Sequence, residues 1–361
     1  MAKADEKKAK QEEGTWNLPT YTLGQALEFI RHNLRLPPEK ARTVVLIGQP
    51  GVGKTRGISE LVRELSYSLV VLHLGQTHPL EMACIGIDPA SREMYFAKPA
   101  VWSAVMAMPA PRVLFADEFD RISGMGQSAM LQLFQDRMFN RHKLEDTYVL
   151  GAGNAWHAQY SFELDNAFAS RLVMVHVRED HEEWLRWGAA HGIHESILIT
   201  IARAPDILNQ HGEMEASVKR ADPRAWEALS DALRGGVPAA HAACFVGEHA
   251  ARTFHRYANL VREYQKEIEM LAKGKRVEPK GETEAEKAGL LFALYLAAAG
   301  RVEQPMAYTF LTNAQAQMGN EKAYVVGRVL SYHIEPRELI LKDARMRELH
   351  DLLYTKTYGA G

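Results

Sequence analysis

The sequence predicts an α/β core on a five-stranded parallel sheet, followed by a second half made of helices. Three observations carry this. Thr43–Ile47, Ser68–Leu74, Arg112–Ala116, Thr147–Ala152 and Leu172–Val177 are short runs almost unbroken in apolar residues, the pattern of strands buried on both faces of a parallel sheet. Helical or loop sequence separates them, which calls for right-handed crossovers with helices on both faces. Beyond Asp180, Trp184, Leu185, Trp187, Ile197, Ile201, Trp226, Leu229 and Leu233 fall on helical faces, and no further strand pattern appears.

Length and composition agree with two units of structure. The 361 residues are 47% hydrophobic, enough to bury a sizeable core. The formal net charge of -2 gives no global reason to expect nucleic acid. Cys84 and Cys244 fit no CxxC spacing, so a disulfide framework is not expected and a reducing cytoplasm is the simpler setting. Residues 1–16 carry mixed charges and no apolar h-region, which predicts a disordered charged tail rather than a signal peptide. The longest apolar run, Ala288–Ala299, is shorter than the roughly 20 residues a membrane span needs, so it predicts a buried helix in a soluble protein.

Along the chain, Leu23, Ala26, Leu27, Phe29, Ile30 and Leu34 predict a helix over Leu23–Leu36, ended by Pro37 and Pro38. The expected plan is an α/β core over 17–180, a helical lid over 181–273, and a C-terminal helical region over 281–361. A Lys/Pro/Gly-rich linker lies near Gly274–Lys280.

Gly48-Gln49-Pro50-Gly51-Val52-Gly53-Lys54-Thr55 is the chemically decisive segment. It matches GxxxxGK[ST] in full, directly after a strand and before a helix. Glycines let backbone N–H groups turn inward around phosphates, and the helix N-terminus adds positive potential. Lys54 is placed for the β- and γ-phosphates, and the Thr55 hydroxyl for a magnesium ion. Val113-Leu114-Phe115-Ala116-Asp117-Glu118 is an apolar strand ending in two carboxylates. Asp117 is placed to hold magnesium through its water shell, and Glu118 to orient or deprotonate an attacking water. No NKxD-type base-reading motif occurs, so ATP is expected rather than GTP. A glutamate for water points to a hydrolase rather than a small-molecule kinase.

GQPGVGKT, VLFADEFDR, GAGN and LDNAFASRL, in that order, resemble the AAA+ ATPases. More narrowly the chain resembles the MoxR-like branch, the group that includes the CbbQ, NorQ and gas-vesicle GvpN types, over roughly Gly48 to Ala258. The resemblance implies an AAA+ core with a helical lid. It also implies Asn154 at the sensor-1 position, holding the lytic water or touching the γ-phosphate. Arg171 falls at the arginine-finger position, reaching the nucleotide of a neighbouring subunit, although Ser170 and Leu172 replace the usual Asp and Phe. Arg224 in Asp222-Pro223-Arg224-Ala225-Trp226 falls at sensor 2. Arg137 is a weaker candidate for the neighbour's nucleotide.

A finger acting in trans implies a closed ring, by resemblance a homo-hexamer. The function implied is remodelling or activation of a partner protein, one with a von Willebrand A domain in many members. The alternative is a nucleic-acid motor or loader of the McrB-like or RuvB-like kind. A third reading is a nucleotide-gated structural ring.

Two inserted hairpins are expected, over Ile85–Phe96 and Met138–Leu144, with Asp-Pro-Ala-Ser supplying turn chemistry in the first. Tyr95 and Phe139 either grip a partner or pack locally. His181, His191 and His194 lack metal-ligand spacing, Trp184 and Trp187 belong to a helical core, and the basic stretch Lys273–Lys280 is expected to be a solvated linker.

Overall fold

A computed structural model describes residues 18–78, 81, 85–121, 124–154, 170–210, 220–258, 263–279, 281 and 283–350. The chain forms two compact units, Met1–Glu179 and Asp180–Gly361, each described here by itself.

The first unit is a twisted parallel sheet with helices. Strand β1 (Thr20–Tyr21) leads into helix α1 (Leu23–Asn33). A capping box starts α1: Gln25 N–H donates to the Thr22 hydroxyl, and Thr22 N–H donates to the Gln25 side chain, satisfying backbone donors that lack intrahelical partners. Its apolar stripe of Ala26, Leu27 and Ile30 is buried. The helix ends at Asn33, before the expected Leu36. The Asn33 amide pairs instead with both the N–H and the carbonyl of Arg42, closing the loop back to the sheet.

Then come β2 (Val44–Gly48), α2 (Lys54–Glu64), β3 (Ser68–His73), the ribbon β4 (Ile85–Ile87) and β5 (Met94–Phe96), α3 (Ala100–Ala107) and β6 (Arg112–Asp117). They are followed by α4 (Gly124–Asp136), the ribbon β7 (Met138–Phe139) and β8 (His142–Lys143), β9 (Thr147–Asn154) and β10 (Val173–Val177). The sheet order is β1-β10-β2-β9-β6-β3, and every pairing in it is parallel.

All five expected strands are present, but the sheet has six. The extra edge strand, β1, pairs through only Thr20 and Tyr21, too short to leave a pattern in the sequence. Register sets the site. Gly48 at the end of β2 lies opposite Asn154 on one side and Val177 on the other, while Asp117 at the end of β6 lies opposite His73. The carboxyl ends of these strands therefore share one edge of the sheet, where doubly wound folds bind ligands.

A Cβ on Gly48 would stand 2.5 Å from the Val177 carbonyl oxygen. Gly48→Ala is therefore expected to push β2 from β10 and lower stability by about 1–3 kcal/mol. Urea denaturation followed by circular dichroism checks it; an unchanged midpoint would contradict this close packing.

Among its described residues the second unit's regular elements are all helices: α5 (His181–Ala190), α6 (Glu195–Arg203), α7 (Pro223–Arg234), α8 (Ala242–Ala258), α9 (Gln265–Ala272), α10 (Glu284–Ala299), α11 (Ala307–Met318), α12 (Asn320–Leu330) and α13 (Pro336–Lys342). Helix α10 opens with a Thr283/Glu286 capping box and buries Leu290–Leu296 and Ala298–Ala299. A helix apolar on nearly all sides belongs at the centre of a core, and one hydrophobic cluster runs from Leu185 to Leu349 around it. The Tyr295 phenol donates to Gln317 at 2.6 Å, and burial pushes its pKa up to about 12.

The basic stretch after α9 is not a free linker. Val277 is buried, the Gly274 and Val277 carbonyls accept from Asn313 and Gln317, and Arg276 donates to Asn313. Two amides on one face of α11 thus hold the stretch in place. Among the described residues no helix is long and apolar enough to cross a membrane.

Candidate functional site

The loop Gly48–Gly53 leaves β2 and enters α2. Gly51 (φ +85°) and Gly53 (φ +90°) occupy the left-handed region, which costs a residue with a Cβ and suits glycine. Gly53 also precedes the first residue of α2 and makes no side-chain cap, and a helix N-terminus directs N–H groups and positive potential toward an anion. Gly57 on α2 touches Leu27 and Leu23 of α1, where a Cβ would approach Leu27 Cδ1 to 2.9 Å. That close contact fixes the helix behind the loop.

Lys54 is only 7% exposed. A buried ammonium needs partners, and its Nζ donates to the Gly48 and Gln49 carbonyls at 2.9 Å each. The cation is thereby held on the loop itself. The Thr55 hydroxyl donates to Asp117 Oδ2 at 3.0 Å, joining α2 to the tip of β6, and Asp117 Oδ1 accepts the Glu118 N–H at 2.9 Å. The loop and the acidic strand end, 62 residues apart in sequence, thus meet at one point.

Glu118 adopts φ +56°, an uncommon backbone for a residue with a Cβ and one that re-aims its side chain as β6 ends. Glu118 Oε1 lies 3.5 Å from Arg121 Nη1. Oε2 is buried, has no hydrogen-bond partner among the described residues, and faces Gly75 so closely that a Cβ there would stand 2.2 Å away. A buried carboxylate oxygen without a donor is costly and is a common mark of a functional group.

Asn154 ends β9 beside this cluster. Its backbone N–H donates to Asp120 Oδ1 at 2.7 Å. Asp120, 2% exposed, had no role assigned from the sequence, although it stands inside VLFADEFDR. Only the fold brings it to Asn154, 34 residues on.

Arg171 is exposed, and its Nε donates to Gln135 Oε1 at 2.6 Å. Residues 164–169 of LDNAFASRL lie outside the described residues. Arg224 lies in the second unit, exposed at the second position of α7, where Asp222 caps the helix by accepting the Ala225 N–H at 2.7 Å.

Arg137 is corrected. It is a buried residue of the first unit, its guanidinium donates to the Ala41 carbonyl, and burial lowers its pKa. A side chain committed to the protein interior is not free to reach another subunit.

The expected hairpins form, with different fates for their aromatics. In the first ribbon Ile85 pairs with Phe96 and Ile87 with Met94. These four share one face, and all are exposed. On the other face Tyr95, 55% exposed, lies across Gly86, where a Cβ would stand 2.4 Å from Tyr95 Cζ. Of the two alternatives for Phe139, the local one holds: at 1% exposure it packs in the sheet's core cluster and presents no ring to a partner.

The turn of the second ribbon braces the base of the first. Asn140 Nδ2 donates to the Ala97 carbonyl at 3.0 Å, His142 Nε2 lies 2.9 Å from the Phe96 carbonyl, and the Arg141 guanidinium sits 4.7 Å from the centre of the Phe96 ring.

In the second unit, His191 stacks on Trp187 and His194 caps the Ser196 N–H. His194 is partly buried, which lowers its pKa.

Residues 44–177 match the ATPase family associated with various cellular activities (AAA). That stretch, which contains the phosphate loop and the acidic strand end, is an AAA ATPase domain, and the enzyme class it carries is ATP hydrolysis. No curated protein matches the chain. Among solved structures, a candidate ATPase of Cytophaga hutchinsonii is similar at 18% identity over 46% of this chain and 50% of that one, with a TM-score of 0.32. The alignment spans half the length of the Cytophaga protein. The Thermotoga maritima RuvB Holliday junction branch migration motor is similar at 16% identity over 76% and 82% of the two chains, with a TM-score of 0.35. A point mutant of that RuvB gives 15% identity over 77% and 83%, with a TM-score of 0.38.

Proposed function

We propose that this AAA ATPase domain works as a MoxR-like machine, in which a homo-hexameric ring uses ATP hydrolysis to remodel or activate a partner protein. The observation that carries the nucleotide chemistry is the 3.0 Å contact between Thr55 Oγ1 and Asp117 Oδ2 beneath a left-handed glycine loop. A hydroxyl and a carboxylate side by side are the hard oxygen donors magnesium takes, together with water and phosphate. Magnesium held by Thr55 and Asp117 would offset charge on the phosphate oxygens.

In this reading the N–H groups of Gly51–Thr55 and the Lys54 ammonium bind the triphosphate, with Gln49, Pro50 and Val52 shaping the loop. Glu118 accepts a proton from the attacking water, or orients it. Asn154 holds that water or the γ-phosphate. Arg171 supplies positive charge to the neighbouring subunit's site, where charge grows in the transition state. Arg224 keeps the sensor role the resemblance implies, tested by the ATP affinity of Arg224→Ala.

The exposed apolar face of the first ribbon is the surface offered to the partner. A contiguous apolar patch on an otherwise polar surface marks an interaction site, and the second ribbon's brace gives it a fixed base. A von Willebrand A domain protein is the favoured partner class.

A nucleic-acid motor or loader is the second reading, and branch migration remains a property of RuvB. ATP turnover measured with a von Willebrand A protein, with single-stranded DNA and with double-stranded DNA across a salt series separates the two. Stimulation by protein alone supports the first reading. Stimulation by DNA that fades as salt rises replaces it with the second. Turnover indifferent to all of them, with assembly following nucleotide state, favours a structural ring.

Action in trans has its own test. Arg171→Ala and Glu118→Gln proteins, each nearly inactive alone, are expected to recover hydrolysis when mixed, because some interfaces then join an intact Glu118 to an intact Arg171. No recovery at any mixing ratio would remove Arg171 from the neighbour's site.

A further inference from the structure

We propose that Asp120 is a positioning residue for ATP hydrolysis, holding Asn154 so that its amide oxygen faces the attacking water. This rests on the reading of Asn154 as a residue of the site.

Asp120 lies in the 3-10 turn Phe119–Arg121, directly after Glu118. Both of its carboxylate oxygens face one residue. Oδ1 accepts the Asn154 N–H at 2.7 Å, and Oδ2 lies 3.5 Å from Asn154 Nδ2. A carboxylate this deeply buried must be met by donors, and bonds to an ionised acceptor are stronger than neutral ones.

The preceding residue is shaped for the contact. A Cβ on Gly153 would stand 3.0 Å from both the backbone nitrogen and Oδ1 of Asp120, so glycine lets the turn approach the strand. On its other side Asn154 is the register partner of Gly48, where the phosphate loop begins. The end of β9 is therefore gripped between the turn that follows Glu118 and the strand that carries the loop.

The chemistry follows from the amide's plane. With Nδ2 on the Asp120 side, the amide carries Oδ1 on the opposite side. An oxygen acceptor takes a water's O–H and repels a phosphate oxygen. Asp120 thus decides between the two roles open to Asn154, in favour of the water. The bond to the Asn154 N–H fixes the strand end from which that amide projects. A small misplacement of such groups costs rate while leaving binding intact.

The test is a double-mutant cycle on steady-state ATP hydrolysis with Asp120→Asn, Asp120→Ala, Asn154→Ala and the Asp120→Ala/Asn154→Ala pair, each checked by thermal unfolding. Asp120→Asn is isosteric and keeps an acceptor for the Asn154 N–H, so it guards against simple misfolding of the alanine variant. Asp120→Ala is expected to lower kcat about 10- to 100-fold with KM steady, and Asp120→Asn to fall between it and wild type. Asp120→Ala is expected to add less than about threefold loss once Asn154 is alanine, because groups acting as a unit are not additive.

Full multiplication of the two single losses would overturn the proposal, as would wild-type kcat in Asp120→Asn or a KM that rises in step with the fall in kcat. Wild-type kcat in Asn154→Ala would remove Asn154 from the site and this proposal with it. A loss in Asn154→Ala without one in Asp120→Asn would sink only the role of Asp120.

Discussion

Glu118→Gln is expected to bind ATP with wild-type affinity and to hydrolyse it about 100- to 10,000-fold more slowly, the range a positioned general base contributes. The substitution keeps the shape of the side chain and removes its basicity. Binding is spared because the phosphate-holding groups lie elsewhere, on the loop Gly48–Thr55. The structure shows a carboxylate prepared for this use: an uncommon φ of +56° turns it as the strand ends, and one oxygen is buried with no donor among the described residues. Glutamine places an N–H₂ or a weakly basic oxygen there, and neither takes a proton from water at neutral pH. Single-turnover hydrolysis together with nucleotide titration separates the two effects. A parallel loss of affinity would mean that Glu118 is part of the binding shell.

Lys54→Ala is expected to act in the opposite way, weakening ATP binding by about 2–5 kcal/mol, which is about 30- to 5,000-fold in Kd. Lys54 is almost wholly buried, with its ammonium held by the Gly48 and Gln49 carbonyls. Phosphate oxygens arriving at the loop meet this cation already desolvated and fixed, so its attraction is little screened. Removing it leaves two loop carbonyls beside an incoming anion, which adds repulsion to the lost attraction. Titration with a fluorescent ATP analogue measures the loss, and melting temperature checks that the loop's own packing survives. Unchanged Kd in a folded protein would place the triphosphate elsewhere.

The parts legible in the sequence are those whose physics is local. Two glycines at left-handed φ and a strand before them follow from GQPGVGKT, since few other residues adopt that backbone. Five buried strands follow from unbroken apolar runs. The buried helix α10 follows from the run Ala288–Ala299, and the ribbon turn from Asp-Pro-Ala-Ser.

What stayed hidden depends on contacts distant in sequence. Strand β1 has two paired residues and leaves no periodicity. Tyr95 and Phe139 look alike as aromatics near hairpin turns, and only packing exposes one and buries the other. Arg137 resembles a surface cation until the Ala41 carbonyl and its burial are seen. The basic stretch near Gly274 looks solvated until Asn313 and Gln317 of α11 are found on it. Asp120 looks like one more acidic residue after a strand, and gains meaning only when the end of β9 arrives beside it.

The central claim is that the lysine-bearing loop and the aspartate–glutamate strand end act on a single triphosphate. Its most direct test is a crystal structure of the Glu118→Gln protein grown with ATP and magnesium. The account predicts intact ATP whose β- and γ-phosphates touch Lys54 and the loop N–H groups, with one metal ion bound to Thr55 Oγ1 and reaching Asp117 directly or through water. A triphosphate bound away from Gly48–Thr55, or a metal ion that touches neither Thr55 nor the water shell of Asp117, would contradict it.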